Sequence, residues 1–285
     1  MTLLATGKVN YRARIERAEL LAKRFPFANE VLTFYAAVAT FQKELYELLP
    51  KAWGKRPVAP PNGLLRSELN VAILMEPFTK YLRLVETHAP GPLAAHARML
   101  AATGERTQAR TLQEYWENGL QEAEKAENSE EEFNTDPLKE FLSRAFLQPY
   151  AEVVVSAMLP PSLPMTTGRC PRCNSLPLLG VLRPEGDGGK RFLMCAFCSQ
   201  EWEFRRIFCA LCGEEREEKL PIYVAEEFPH IRVESCETCK QFLRTIDLTK
   251  DGNAVPIVDD LAAIPLSLWA EEQGYSRVQA NLLGT

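Results

Sequence analysis

The residues best equipped for chemistry are eight cysteines, and each belongs to a C-x-x-C pair: Cys170/Cys173, Cys195/Cys198, Cys209/Cys212 and Cys236/Cys239. None lies in the first 169 residues. A C-x-x-C knuckle lets two thiolates bite one ion while backbone N–H groups donate to the sulfurs. Two knuckles complete a tetrahedron of sulfur ligands, at about 2.3 Å for zinc. Four such pairs read as metal ligation. Redox thiols of the thioredoxin type need a helix N-terminus after a strand in a βαβ setting, whereas these pairs lie in hairpin-rich sequence. A secreted disulfide scaffold would be shorter and carry an export signal.

The first and third pairs lie 39 residues apart and the second and fourth 41, so one unit of about 40 residues is used twice. Each unit reads knuckle, hairpin, knuckle, strand, with Trp202-Glu-Phe-Arg-Arg-Ile207 corresponding to Gln241-Phe-Leu-Arg-Thr-Ile246. The repeat assigns Cys170, Cys173, Cys195 and Cys198 to one ion (site 1) and Cys209, Cys212, Cys236 and Cys239 to a second (site 2). A cross-braced pairing is the alternative. Such a unit is too small to build a core unaided, and metal binding on the order of 10 kcal/mol would supply its folding free energy. Four thiolates suit zinc and a mononuclear iron of the rubredoxin kind alike.

The elements around the cysteines change character near residue 160. Before it the pattern is helical, most clearly from Pro26 to Leu49, where Val31, Phe34, Tyr35, Val38, Phe41, Leu45, Leu48 and Leu49 recur at three- and four-residue spacing. A Pro-rich connection (Pro50 to Pro61) follows, then helical stretches near 70–87, 92–102 and 107–126, and an acidic link, 127–136. Asp136-Pro137 is an N-cap and first-turn pair for a helix with the stripe Leu138, Phe141, Leu142, Ala145 and Phe146, which Pro149 is expected to kink or interrupt. The proline-rich run 159–164 marks a boundary. Beyond it, hairpin signals fall at 176–194 and 222–234, and residues 257–274 return to one helical stretch closing with Gly274 as C′.

The expected fold class is α+β and multidomain. An all-helical domain (1–164) precedes two small rubredoxin-like, zinc-ribbon-like β modules (165–208 and 209–250) and a C-terminal helical segment packing on the body (251–285). Composition agrees: 285 residues, 46% hydrophobic and 25% charged, are ordinary for a globular chain. No apolar run approaches the roughly 18 residues needed to cross a bilayer, and the N-terminus lacks a secretory pattern, which places the chain in the cytoplasm.

Other constellations carry less. The net charge is -5, and residues 169–250 hold thirteen Lys/Arg against thirteen Asp/Glu, so there is no basic stripe of the kind nucleic acid demands. Gly186-Asp-Gly-Gly-Lys190 lacks the first Gly and the Ser/Thr of a phosphate loop and falls in a hairpin. His88, His96 and His230 read as structural or surface residues, and no cysteine is left over as a nucleophile. Trp202, Arg205 and Arg206 read as a strand with alternating faces, or as a contact surface.

The residues Cys170-Pro-Arg-Cys-Asn-Ser-Leu-Pro, Arg191-Phe-Leu-Met-Cys-Ala-Phe-Cys with Glu201-Trp202, Cys209-Ala-Leu-Cys, Glu234-Ser-Cys-Glu-Thr-Cys and Val258-Asp-Asp-Leu-Ala resemble, in order and spacing, the formate dehydrogenase accessory proteins of the FdhE family. Gly274-Tyr-Ser-Arg and Asn281-Leu-Leu-Gly are similar to that family's C-terminus. Asn174 and Lys240 stand where family knuckles often carry Gly. The resemblance implies a cytoplasmic, non-catalytic maturation chaperone that binds the catalytic subunit of a respiratory formate dehydrogenase before export. It also implies two rubredoxin-like sites, with iron as the metal. A rubredoxin-like electron carrier and a zinc-ribbon nucleic-acid module are the other readings.

Overall fold

The computed structural model describes residues 9–53, 69–118, 136–158, 168–186 and 188–282. Most of the Pro-rich connection, the acidic link through residue 135, the boundary at 159–164, Asp187 of the first hairpin turn and the last three residues lie outside the described residues.

Helices α1 (Tyr11–Arg24), α2 (Asn29–Ala52), α3 (Met75–His88), α4 (Gly91–Ala101), α5 (Glu105–Asn118) and α6 (Pro137–Ser156) form the helical layer. The expected stripe of α2 is buried at Phe34, Tyr35, Val38, Phe41, Leu45 and Leu49, but Leu48 faces solvent. The helix also runs through Pro50 to Ala52, because a proline in the last turn costs one hydrogen bond and leaves few residues to displace. Asp136 caps α6 as expected, accepting from the N–H groups of Leu138 and Lys139.

Pro149 does not interrupt α6. The helix continues to Ser156, and every residue from Leu142 to Val155 is buried, so packing on all sides holds it. Proline lacks the N–H that would reach the carbonyl four residues back, and that carbonyl, of Ala145, accepts instead from Nε2 of the buried Gln42 at 2.7 Å.

Among the described residues seven strands form one sheet: β1 (Pro177–Glu185), β2 (Gly188–Cys195), β3 (Glu201–Glu203), β4 (Ile222–Val224), β5 (Ile231–Ser235), β6 (Gln241–Asp247) and β7 (Ser276–Arg277). The order is β3-β2-β1-β6-β5-β4, with β7 on β6. Each cysteine unit contributes an antiparallel three-stranded piece, and the two pieces join where β1 and β6 run parallel. The junction needs Gly180: a Cβ there would lie 2.2 Å from Thr245 Oγ1. The strand expected at 202–207 stops at Glu203. Arg191 draws the chain away, donating from Nη1 to the carbonyls of Arg205 (2.7 Å) and Phe208 (3.3 Å).

The single C-terminal helix expected over 257–274 is two, α7 (Pro256–Ala262) and α8 (Ile264–Glu272), because Pro265 follows the break at Ala263. Gly274 is at C′ as expected, with φ +82, and Gly274 N–H to Glu271 and Tyr275 N–H to Ala270 complete a Schellman motif. Helix α7 packs on β1, β6, α1 and α2, so one apolar core runs through both layers.

Candidate metal centres

The eight cysteines gather into two groups, each with its four sulfurs within 4.8 Å of one another: Cys170, Cys173, Cys195 and Cys198, and Cys209, Cys212, Cys236 and Cys239. In the first, Sγ–Sγ distances are 3.6 Å (Cys170–Cys198), 3.3 Å (Cys173–Cys195) and 3.6 Å (Cys173–Cys198). In the second they are 3.7 Å (Cys209–Cys239) and 3.6 Å (Cys212–Cys236). A disulfide needs about 2.05 Å. A tetrahedron with sulfur about 2.3 Å from its centre has edges of about 3.8 Å, so both groups fit a four-thiolate ion.

Local backbone geometry explains how the sequence makes such a cage four times. In every knuckle the residue after the second cysteine is left-handed: Asn174 (φ 62), Ser199 (φ 54), Gly213 (φ 75) and Lys240 (φ 56). That turn sends the chain back, and in each knuckle the first cysteine's N–H donates to the carbonyl five residues on: Ser175, Gln200, Glu214 and Gln241. Gly takes φ > 0 freely, whereas a side chain there costs about 1 kcal/mol. Asn174 and Lys240, neither of them Gly, keep the turn. Backbone N–H groups also point at the sulfurs, from Arg172 to Cys170 (3.4 Å) and from Phe197 and Cys198 to Cys195 (3.3 and 3.4 Å).

The two groups differ in environment. All four thiols of the first are buried, whereas in the second Cys236 is buried, Cys209 and Cys239 are half-buried and Cys212 is exposed. Burial pushes the Cys170 and Cys198 thiols up. Burial acts the same way on Cys173, but hydrogen bonds from the neighbouring thiols and Ser175 outweigh it and hold it well below the ordinary thiol range. A cation at the centre would reverse the effect of burial on Cys170 and Cys198, since a coordinating thiol is deprotonated outright. In the second group Cys236 is held low, against its burial, by the N–H groups of Cys239 and Thr238. Thr238 Oγ1 also donates to Glu214 Oε2 at 2.6 Å, tying the two knuckles together.

The second knuckle of the first group is clamped by the helical layer. Ser199 Oγ donates to Glu152 Oε1 at 2.7 Å, Arg14 pairs with the same oxygen at 3.0 Å, and Arg144 Nη2 donates to the Ala196 carbonyl at 3.1 Å. Phe197 packs edge-on against Tyr115 and Trp116. Sequence reading missed this set. Its trace is Arg144 and Glu152 within a helix that is buried on all sides, where charged groups must find partners.

The atoms of a third potential cluster, His230, Asp251 and Asp259, already have protein partners: Arg17 pairs with Asp251 (2.9 Å) and Asp259 (2.6 Å), and His230 Nε2 lies 2.9 Å from Asp259. His96 lies beside Asp136 at 3.5 Å. Trp202 is buried, Arg205 pairs with Glu215, and Arg206 lines a cavity beside the second group.

Residues 169–206 match the family model described as FdhE, central domain, and residues 207–283 the model described as FdhE, C-terminal domain. Residues 169–283 are similar to the FdhE central and C-terminal domains, taken in chain order. Proteins called FdhE homolog are similar to this chain, two of them over nearly its whole length. The one from Aquifex aeolicus is 25% identical, covering 95% of this chain and 94% of that protein. The one from Pectobacterium atrosepticum is 28% identical, covering 98% and 88%. A Haemophilus influenzae FdhE homolog is 35% identical over 113 residues, 39% of this chain and 37% of that one. The crystal structure of the FdhE protein from Pseudomonas aeruginosa shares the fold, with TM-score 0.70 and 22% identity over 96% of this chain and 94% of that chain.

The FdhE-type residues of the C-terminal segment, Asp260, Arg277 and Asn281, meet at one point. Asp260 accepts from Arg277 at both oxygens (2.8 Å each) and from Asn281 Nδ2 (3.1 Å), and pairs with Arg244 at 2.8 Å. Burial alone would push the Asp260 carboxyl up; Arg244 and Arg277 outweigh it and hold the carboxyl below its ordinary range. These residues lock the C-terminal segment under the second cysteine unit. Among the described residues no helix is long and apolar enough to cross a membrane.

Proposed function

We propose that the chain is a metal-binding assembly factor for a respiratory formate dehydrogenase, binding the catalytic subunit in the cytoplasm before export. The observation that carries this reading is the closure of two four-thiol groups within the stretch that carries the FdhE central and C-terminal domains. Cys170, Cys173, Cys195 and Cys198 hold one ion and Cys209, Cys212, Cys236 and Cys239 the other, with iron favoured over zinc by the family. The ions cross-link hairpins too small to fold alone, which gives the sheet its shape. The chain's own residues then do what a non-enzymatic partner does: Ser199, Glu152 and Arg144 fix the first module on the helices, and Asp260 and Arg244 fix the second. The organisation that goes with this reading is a helical domain to residue 164, modules at 165–208 and 209–250, and a closing segment from 251.

Co-purification from cells with tagged chain tests it. Wild type should retrieve the catalytic subunit, Cys170→Ser and Cys236→Ser should retrieve less, and the purified chain should oxidise no formate. No retrieved subunit, together with unchanged formate oxidation after deletion, would overturn the reading. The exposure of Cys212 supports a second one, a rubredoxin-like electron carrier. A redox titration followed by visible absorption separates the two.

A further inference from the structure

We infer that the free edge of β4 is the docking strand for the partner, taking an extended segment with alternating apolar side chains and basic residues at its ends. This rests on the assembly-factor reading above and locates its surface.

Strand β4 ends the sheet, so one side of it pairs with β5 and the other with no described residue. The register decides which groups face outward. Ser235 N–H donates to the Pro221 carbonyl at 3.0 Å, which makes Pro221/Ser235 a bonded pair, and the alternation of an antiparallel ladder then makes Tyr223/Val233 the next. Ile222 and Val224 therefore turn their N–H and C=O groups to the open edge. Their side chains are 54% and 51% exposed. A sheet edge that is not meant to pair is normally guarded by charged side chains on the strand itself. Here the outward positions are both apolar.

Side chains alternate across the sheet, so Tyr223 takes the opposite face, where its ring meets Trp269 of α8 at 4.7 Å. On the Ile222 face lies a cavity of about 340 Å³, lined by Ile207, Leu220, Ile222 and Leu243 together with Cys209 and Cys236. A strand added to β4 would place every second side chain on this face, beside the cavity. Its ends would meet acid: Glu217 and Glu218 precede β4, Glu226 and Glu227 follow it, and all four are exposed, with Arg216 acting on Glu218. Lys219 between them faces Glu237. The second metal group holds the edge in place, since Glu237 N–H donates to the Lys219 carbonyl at 2.9 Å, directly beside Cys236.

The test is binding of the purified chain to the purified formate dehydrogenase catalytic subunit, with amide hydrogen exchange on the complex. Val224→Pro removes an outward N–H and leaves the bonds to β5 intact, and Ile222→Lys places a charge on the edge without touching the backbone. Each should weaken binding by about tenfold or more while metal content and circular dichroism stay at wild-type values. Changing Glu217, Glu218, Glu226 and Glu227 together to Gln should weaken it several-fold and flatten its salt dependence. In the complex the amides of Ile222 and Val224 should gain protection. If Val224→Pro loses metal, Ile222→Lys and the exchange data decide. If wild type binds and both edge variants bind equally, with no protection at Ile222 and Val224, the docking edge is wrong and the assembly-factor reading stands. If wild type does not bind the subunit, both fall. If β4 is instead protected in the chain alone by self-association, the occupant is a second copy and the inference fails.

Discussion

Gln42 on α2 supplies the hydrogen bond that Pro149 on α6 cannot, donating to the Ala145 carbonyl at 2.7 Å. Both side chains are buried, and the two central helices of the bundle meet through this substitution of a side-chain donor for a backbone one. Replacing Gln42 with Met should cost about 1–3 kcal/mol, because a buried acceptor loses its partner. In a Pro149→Ala background the same change should cost less, since the restored N–H takes over. Equal costs in both backgrounds, measured by denaturant unfolding, would show that the bond does not replace the missing one.

The buried Arg244–Asp260 pair predicts a large effect. Asp260→Asn should destabilise the chain by about 3–5 kcal/mol at neutral pH, because Arg244, fully buried, and Arg277 are left without their counter-charge. The sign with pH follows from a carboxyl held below its ordinary range. Its contribution is complete above the unfolded value near 4 and is lost as pH falls through the lower folded value. The difference in stability between wild type and Asp260→Asn should therefore shrink on acidification. A difference that grows toward acid would contradict the assignment.

Much of this was legible in the sequence. Two-residue cysteine spacing fixes which thiols share a knuckle, because it is a local covalent fact, and the repeat at 39- and 41-residue offsets favours the sequential pairing of knuckles over the cross-braced one. The Asp136 cap and the Gly274 C′ residue were legible for the same reason. What was hidden depends on distant partners. Pro149 reads as a breaker until Gln42, more than a hundred residues away, satisfies Ala145. The merging of the two cysteine units into one sheet rests on the β1–β6 junction at Gly180, and nothing local announces a parallel pairing 65 residues apart. The clamp of Glu152, Arg14 and Arg144 on the first metal group was invisible because charged residues on two separate helices do not name their partners.

The left-handed residue after each knuckle gives opposite signs at two sites. Lys240→Gly should stabilise by up to about 1 kcal/mol, because φ 56 is strained for a side chain whose contacts, an exposed ion pair with Glu237 and the face of the Tyr275 ring, offset only part of that strain. Ser199→Gly relieves the same strain but takes the hydroxyl from the buried Glu152, and should destabilise. Thermal unfolding of both variants checks this, and stabilisation by both would mean that the Ser199–Glu152 bond contributes nothing.

Unequal burial predicts unequal lability. With Cys212 exposed and the first group fully buried, a chelator should remove metal in two phases, the fast one from the second group. Cys212→Ser should abolish the fast phase and leave one tightly held ion. Release in a single phase would contradict the difference between the two environments.

The central claim, that eight cysteines build two four-thiolate centres, is tested most directly by native mass spectrometry of the chain purified without oxygen, with thiol titration on the same sample. The account predicts a mass increment of two ions per chain, with all eight thiols protected until the protein is unfolded or the metal removed. One ion or none per folded chain, with four or more thiols reacting freely, would contradict it.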